Sequence, residues 1–141
     1  ELLPKSLQAT MAETKQKLSH YKRNTLNVAI AYGGREEIVD AARNCIMEQI
    51  DAGAPPVEAV SGLKAESLDG HLYTSGQPDP DLIIRTSGEM RTSNFLLWEL
   101  AYSELWFTPV FWPDFTRELL FEAIRDFQKR DRRFGAITDD A

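Results

Sequence analysis

The sequence predicts an α/β domain with a mainly parallel sheet flanked by helices. Three observations predict it. Short, near-continuous apolar runs alternate with segments of helical period. Each apolar run is broken by glycine or by a polar loop. Neither of the first two runs shows the polar alternation of a half-solvated antiparallel strand.

In chain order, residues 5–19 place Leu7, Met11 and Leu18 at helical spacing among polar residues, an amphipathic surface helix. "LNVAIAY" (26–32) reads as a strand buried on both faces and broken by Gly33-Gly34. Residues 36–51 open with Glu36 and Glu37 and carry Ile38, Ala41, Ala42, Cys45, Ile46 and Ile50 on one face. Gly53 and Pro55-Pro56 stop that helix. Residues 57–74 suit a short helix and loop. "SGQPDPD" is a turn cluster, and "LIIR" is a second short buried strand. "SNFLLWELAY" has helix-like apolar spacing. "LWFTPV" is β-like and ends at a proline, as an edge or terminal strand does. "DFTRELLFEAIRDFQKRDRRFG" is strongly amphipathic, with Leu119, Leu120, Ala123, Ile124 and Phe127 on one face and Gly135 at its end.

Composition narrows the function. The 141 residues make one domain's worth of chain. With 43% hydrophobic and 27% charged residues, disorder and fibres are excluded. A formal charge of -6 makes the chain a poor general polyanion binder, so nucleic acid is not expected and any anion site must be built locally. The single Cys45 allows no internal disulfide and suits a reducing, cytoplasmic setting. No apolar run is long enough to span a bilayer. His20 and His71 are isolated and form no zinc-ligand pattern.

Ligands of such sheets bind outside the carboxyl ends of the strands. Two polar loops occupy such places, Gly33-Gly34-Arg35 and "RTSGEMRTSN" (85–94). In the second, Arg85 and Arg91 offer planar forks of donors, and Thr86, Ser87, Thr92 and Ser93 add hydroxyls. Gly88 allows a tight turn, and Ser93 can cap a helix beginning near Asn94. That donor set suits a phosphate or diphosphate. The same residues also suit a plain surface loop, with the arginines paired to Glu89, Asp79 or Asp81. Two glycines and an arginine in "YGGRE" are a weaker signal, better read as tight strand-to-helix packing. Glu104, opening "LWF", gains a role if its carboxylate meets that loop through a hard cation. Lys129, Arg130, Arg132 and Arg133 crowd the end of the last helix. They complement the helix dipole or reach an anion in a neighbouring subunit. The dense aromatics from Phe95 to Trp112 suit a core or a subunit interface.

The stretch "DPDLIIRTSGEMRTSNFLLWELAYSELWFTPVFWPDF", followed by a helix closing in "RRFG", resembles the C-terminal signature of the cis-prenyltransferases. These are the undecaprenyl and dehydrodolichyl diphosphate synthases. "AYGGREEI" resembles the family's preceding block, with Ala31 where asparagine is common and Met90 where polar residues also occur. The resemblance implies the C-terminal part of a cis-prenyltransferase fold, a single portion over residues 1–141. It implies a (2Z)-polyprenyl diphosphate synthase that condenses isopentenyl diphosphate with an allylic diphosphate. Arg85, Arg91 and Ser93 match positions that bind isopentenyl diphosphate. Arg133 and Gly135 match a C-terminal Arg-x-Gly element that completes the site across a homodimer interface. Glu104 matches an acid that helps hold Mg²⁺ through that interface. A cytoplasmic transferase of isoprenoid biosynthesis follows, with peripheral membrane association through its lipid product. The family's Asp-Gly-Asn-Gly-Arg loop is absent from the sequence, so no catalytic residue is assigned in this chain. Residues upstream of Glu1 are expected to carry it, and the isolated portion is expected to be inactive. The alternative is a non-catalytic partner subunit of a heteromeric prenyltransferase. Such partners tend to lose the diphosphate-binding arginines, and this chain keeps them.

Overall fold

A computed structural model describes residues 3–131 in two compact units, divided between Tyr32 and Gly33. In the first unit, helix α1 (Lys5–Leu18) buries no residue. A Glu13–Lys17 pair one turn apart supports its solvent face, at 2.6 Å. The segment expected to be a strand over 26–32 forms none, and Leu26 is 86% exposed and Val28 67% exposed. This corrects the sequence reading. β-propensity expresses fit to a pleated, covered surface, and these side chains are not covered.

The second unit carries the α/β architecture. Helix α2 (Gly34–Asp51) is followed by two short helices, α3 (Pro56–Ser61) and α4 (Ala65–Asp69), both packed against it. Pro56 sits in the first turn of α3, where its missing N–H costs nothing. Strands β1 (Leu82–Arg85) and β2 (Glu104–Phe107) pair in parallel, with Leu82 opposite Glu104 and Arg85 opposite Phe107. Helix α5 (Arg117–Lys129) packs on β2, its first turn capped by Thr116, whose hydroxyl accepts from the Leu119 N–H.

Small residues make the close contacts. Ala41, Ala59 and Ala123 are completely buried, joined by Cys45, Leu68 and Leu72. The covered face of α2 runs Gly34, Glu37, Ala41, Cys45, one position away from the centre of the purely apolar stripe. Glu37 enters it because its Oε1 accepts the Tyr73 backbone N–H at 2.8 Å, so the buried carboxylate is hydrogen-bonded.

The helix expected from Asn94 is replaced. Ser93, Asn94 and Leu96 all take left-handed backbone conformations (φ 49°, 65° and 45°), and only a 3₁₀ turn, Glu99–Tyr102, follows. Three such residues in four positions cannot lie in a right-handed helix, so Ser93 caps none.

Candidate diphosphate-binding site

β1 delivers Arg85 to the carboxyl end of the sheet. From there the backbone is pinned: Ser87 N–H donates to the Val110 carbonyl at 2.8 Å and Gly88 N–H to the Thr108 carbonyl at 2.9 Å. Ser87 (φ 67°) and Gly88 (φ 71°) are consecutive left-handed residues, which turns the loop out of the ladder. Arg85 is half-buried, and no acceptor engages its guanidinium among the described residues. Arg91 lies further along the same loop and is ion-paired with Glu89, its side chain 65% exposed. An exposed pair of this kind holds its arginine only weakly. Thus one arginine is unengaged and the other easily recruited.

Asn94 closes the loop onto α2. Its carbonyl accepts the Gly34 N–H at 2.7 Å, its Oδ1 accepts the Arg35 N–H at 2.9 Å, and its Nδ2 donates to Glu36 Oε2 at 3.1 Å. Glu36 also bonds its own backbone N–H. That bond, then the one from Asn94, holds its carboxyl below the usual carboxylate range. The free N–H groups at the start of α2 are therefore occupied. "YGGRE" is a packing element here: a Cβ on Gly34 would lie 2.9 Å from the Leu97 backbone nitrogen. Sequence reasoning missed the Asn94 contact. The paired glycines were its one visible signal, because they mark a close approach of two backbones.

Glu104 is placed elsewhere. It opens β2 opposite Leu82, while Arg85 ends β1, so the two lie at opposite ends of the parallel pair, about 10 Å apart along the strands. Glu104 and the arginine loop are not brought together within one chain. Glu104 Oε2 accepts from Arg130 Nη1 at 2.8 Å, and Oε1 accepts no bond among the described residues. Arg133 and Gly135 lie outside the described residues.

Among the described residues no three His, Cys, Asp or Glu side chains gather as a cation cage. Mg²⁺ in phosphate chemistry is commonly held by one or two carboxylates together with substrate phosphates and water. A hard carboxylate with one open oxygen fits that donor set, as a ligand to an ion shared with a diphosphate.

Taken together, a parallel α/β scaffold carries a donor-rich loop at the carboxyl end of a strand. The chain belongs to a prenyltransferase family. The family's model, described as "Putative undecaprenyl diphosphate synthase", matches residues 1–135. Isoprenyl transferase 1 of Corynebacterium diphtheriae is 47% identical over 135 residues, covering 96% of this chain and 51% of that protein. The (2Z,6E)-farnesyl diphosphate synthase of Mycolicibacterium smegmatis is 53% identical over 110 residues, 78% of this chain and 42% of that one. Among solved structures, lavandulyl diphosphate synthase from Lavandula x intermedia, in complex with dimethylallyl diphosphate, superposes with a TM-score of 0.86 at 35% identity. That match covers 96% of this chain and 56% of the synthase. The chain spans about half the length of the curated relatives it matches.

Proposed function

We propose that this chain is the isopentenyl-diphosphate-binding portion of a (2Z)-polyprenyl diphosphate synthase, with Arg85, Arg91 and Ser93 as the diphosphate ligands. The observation that carries the reading is the half-buried, unengaged Arg85 at the carboxyl end of β1, with Arg91 on the same pinned loop. A guanidinium without an acceptor among the described residues, beside an exposed second one paired with a single glutamate, suits a dianionic ligand. Fixing the diphosphate orients the attached alkene for attack on an allylic partner, and most of the rate gain from such fixation is entropic. Mg²⁺, when bound, would offset negative charge developing on the departing diphosphate.

The opposite placement of Glu104 and Arg85 supports a homodimer in which Glu104, with Arg133 and Gly135, serves the partner copy's site. In this reading the allylic diphosphate and the catalytic aspartate loop belong to another part of the synthase, the chain spanning about half the length of the curated relatives it matches. No helix among the described residues is long and apolar enough to cross a membrane. In this reading the enzyme is cytoplasmic and meets the bilayer through its lipid product.

The test is calorimetric titration of isopentenyl diphosphate into the chain and into the Arg85→Ala and Arg91→Ala variants. Each substitution is expected to weaken binding roughly tenfold or more without changing the melting temperature, since each removes a charge-assisted contact. Affinity unchanged in both variants would remove the loop from the site.

A further inference from the structure

Arg130 follows α5 and is bound on three sides. Its Nη1 donates to Glu104 Oε2 at 2.8 Å and to the Leu105 carbonyl at 3.0 Å, while Nη2 donates to Asp126 Oδ2 at 3.0 Å. A cation that only complements the helix dipole sits by the last carbonyls of its own helix. This side chain instead crosses to the first two residues of β2. The pair with Glu104 is mostly covered, with the two side chains 30% and 29% exposed. A planar fork is needed for this arrangement, and a lysine offers no equivalent geometry.

We infer that Arg130 is a positioning residue for Glu104. It holds the carboxylate by Oε2 and leaves Oε1 without a bond among the described residues. The acid and Arg130 then form one patch at the amino end of β2, at the far end of the sheet from this chain's own arginine loop. The inference rests on the proposed reading that Glu104 donates to a cation shared with a diphosphate. It adds that Arg130 sets the donor's orientation.

The test measures Mn²⁺ uptake by the full chain with inorganic pyrophosphate, from the electron paramagnetic resonance of free Mn²⁺. Residues that orient a metal ligand typically contribute ten- to a hundredfold in affinity. Arg130→Met is expected to weaken Mn²⁺ binding by roughly tenfold, and Glu104→Gln at least as much. The double variant should bind no more weakly than Glu104→Gln alone, a non-additivity that a general loss of stability does not produce. Arg130→Lys, which keeps the charge and loses the fork, should stay weakened. Parent-like binding by Arg130→Lys would mean that charge alone matters and would overturn the inference. Parent-like binding by Arg130→Met beside a weakened Glu104→Gln would overturn it too, and leave the reading of Glu104 standing. Parent-like binding by Glu104→Gln, or no uptake by the parent, would overturn both. Should Arg130→Met fail to fold, Asp126→Asn removes one anchor while sparing the Glu104 pair. A loss of a few-fold is expected there, and none would overturn the inference.

Discussion

Asn94 and Gly34, sixty residues apart in sequence, are joined backbone to backbone: the Gly34 N–H donates to the Asn94 carbonyl at 2.7 Å. The Asn94 side chain adds the acceptor for Arg35 N–H. A loop residue thereby caps the longest helix among the described residues. Asn94→Ala removes the side-chain acceptor, keeps the backbone one, and leaves alanine at a φ of 65°. Each effect costs about 1 kcal/mol, so urea denaturation should show a loss of about 2 kcal/mol. Asn94→Gly, which suits the left-handed backbone, should lose less. Equal losses in the two variants would remove the conformational share.

Gly33 and Gly34 should differ sharply on substitution. A Cβ at Gly34 meets the backbone nitrogen of Leu97 at 2.9 Å, an atom that cannot step aside alone. At Gly33 the nearest atoms are the ends of the Glu36 and Asn94 side chains. Gly34→Ala is expected to cost about 1–3 kcal/mol by overpacking, and Gly33→Ala less. Paired thermal melts decide the order, and a lower melting temperature for Gly33→Ala would reverse the argument.

Asp79 gives the fold a pH dependence. Desolvation, then the charges of Asp69 and Glu99, raises its carboxyl above the ordinary aspartate value. Glu99 is itself buried, with Oε2 lacking a partner among the described residues. A raised folded-state value means that the ionised form opposes folding. The cost is present above that value and fades as pH falls through it. Asp79→Asn should therefore melt slightly higher than the parent at pH 7. The effect is small, because Asp79 keeps much of its surface in water. The gap should close by about pH 4, near the unfolded aspartate value. A gap that widens on acidification would contradict this.

Glu89 competes for Arg91. Since the pair is exposed and worth at most about 1 kcal/mol, Glu89→Gln should tighten pyrophosphate binding by up to roughly fivefold. Calorimetry at low ionic strength measures it, and weaker binding in the variant would make Glu89 a supporter of the loop.

The sequence revealed some elements more clearly than others, for physical reasons. β1, α2 and α5 were legible because each carries a signal of its own: the turn cluster before Leu82, the acids and paired glycines around α2, and the single apolar face of α5 from Leu119 to Phe127. The 94–102 segment misled because its apolar spacing is met equally by a turn followed by a 3₁₀ helix. The deciding factor, the bond from Gly34 to Asn94, is tertiary. The 26–32 run misled because its apolar composition says nothing of what covers it. Within the candidate site, the arginine-rich loop was visible as a run of donors. That Glu104 faces Arg130 at the other end of the sheet was not, because strand register sets it.

The separation of Arg85 from Glu104 along the two strands carries a genetic consequence. If each copy supplies its arginine loop to one site and its acid to the other, two inactive alleles should rescue one another. Mixing full-length subunits that carry Arg85→Ala with others that carry Glu104→Gln would leave one intact site in each mixed dimer. With random pairing in a symmetric dimer, about a quarter of the parental activity should return.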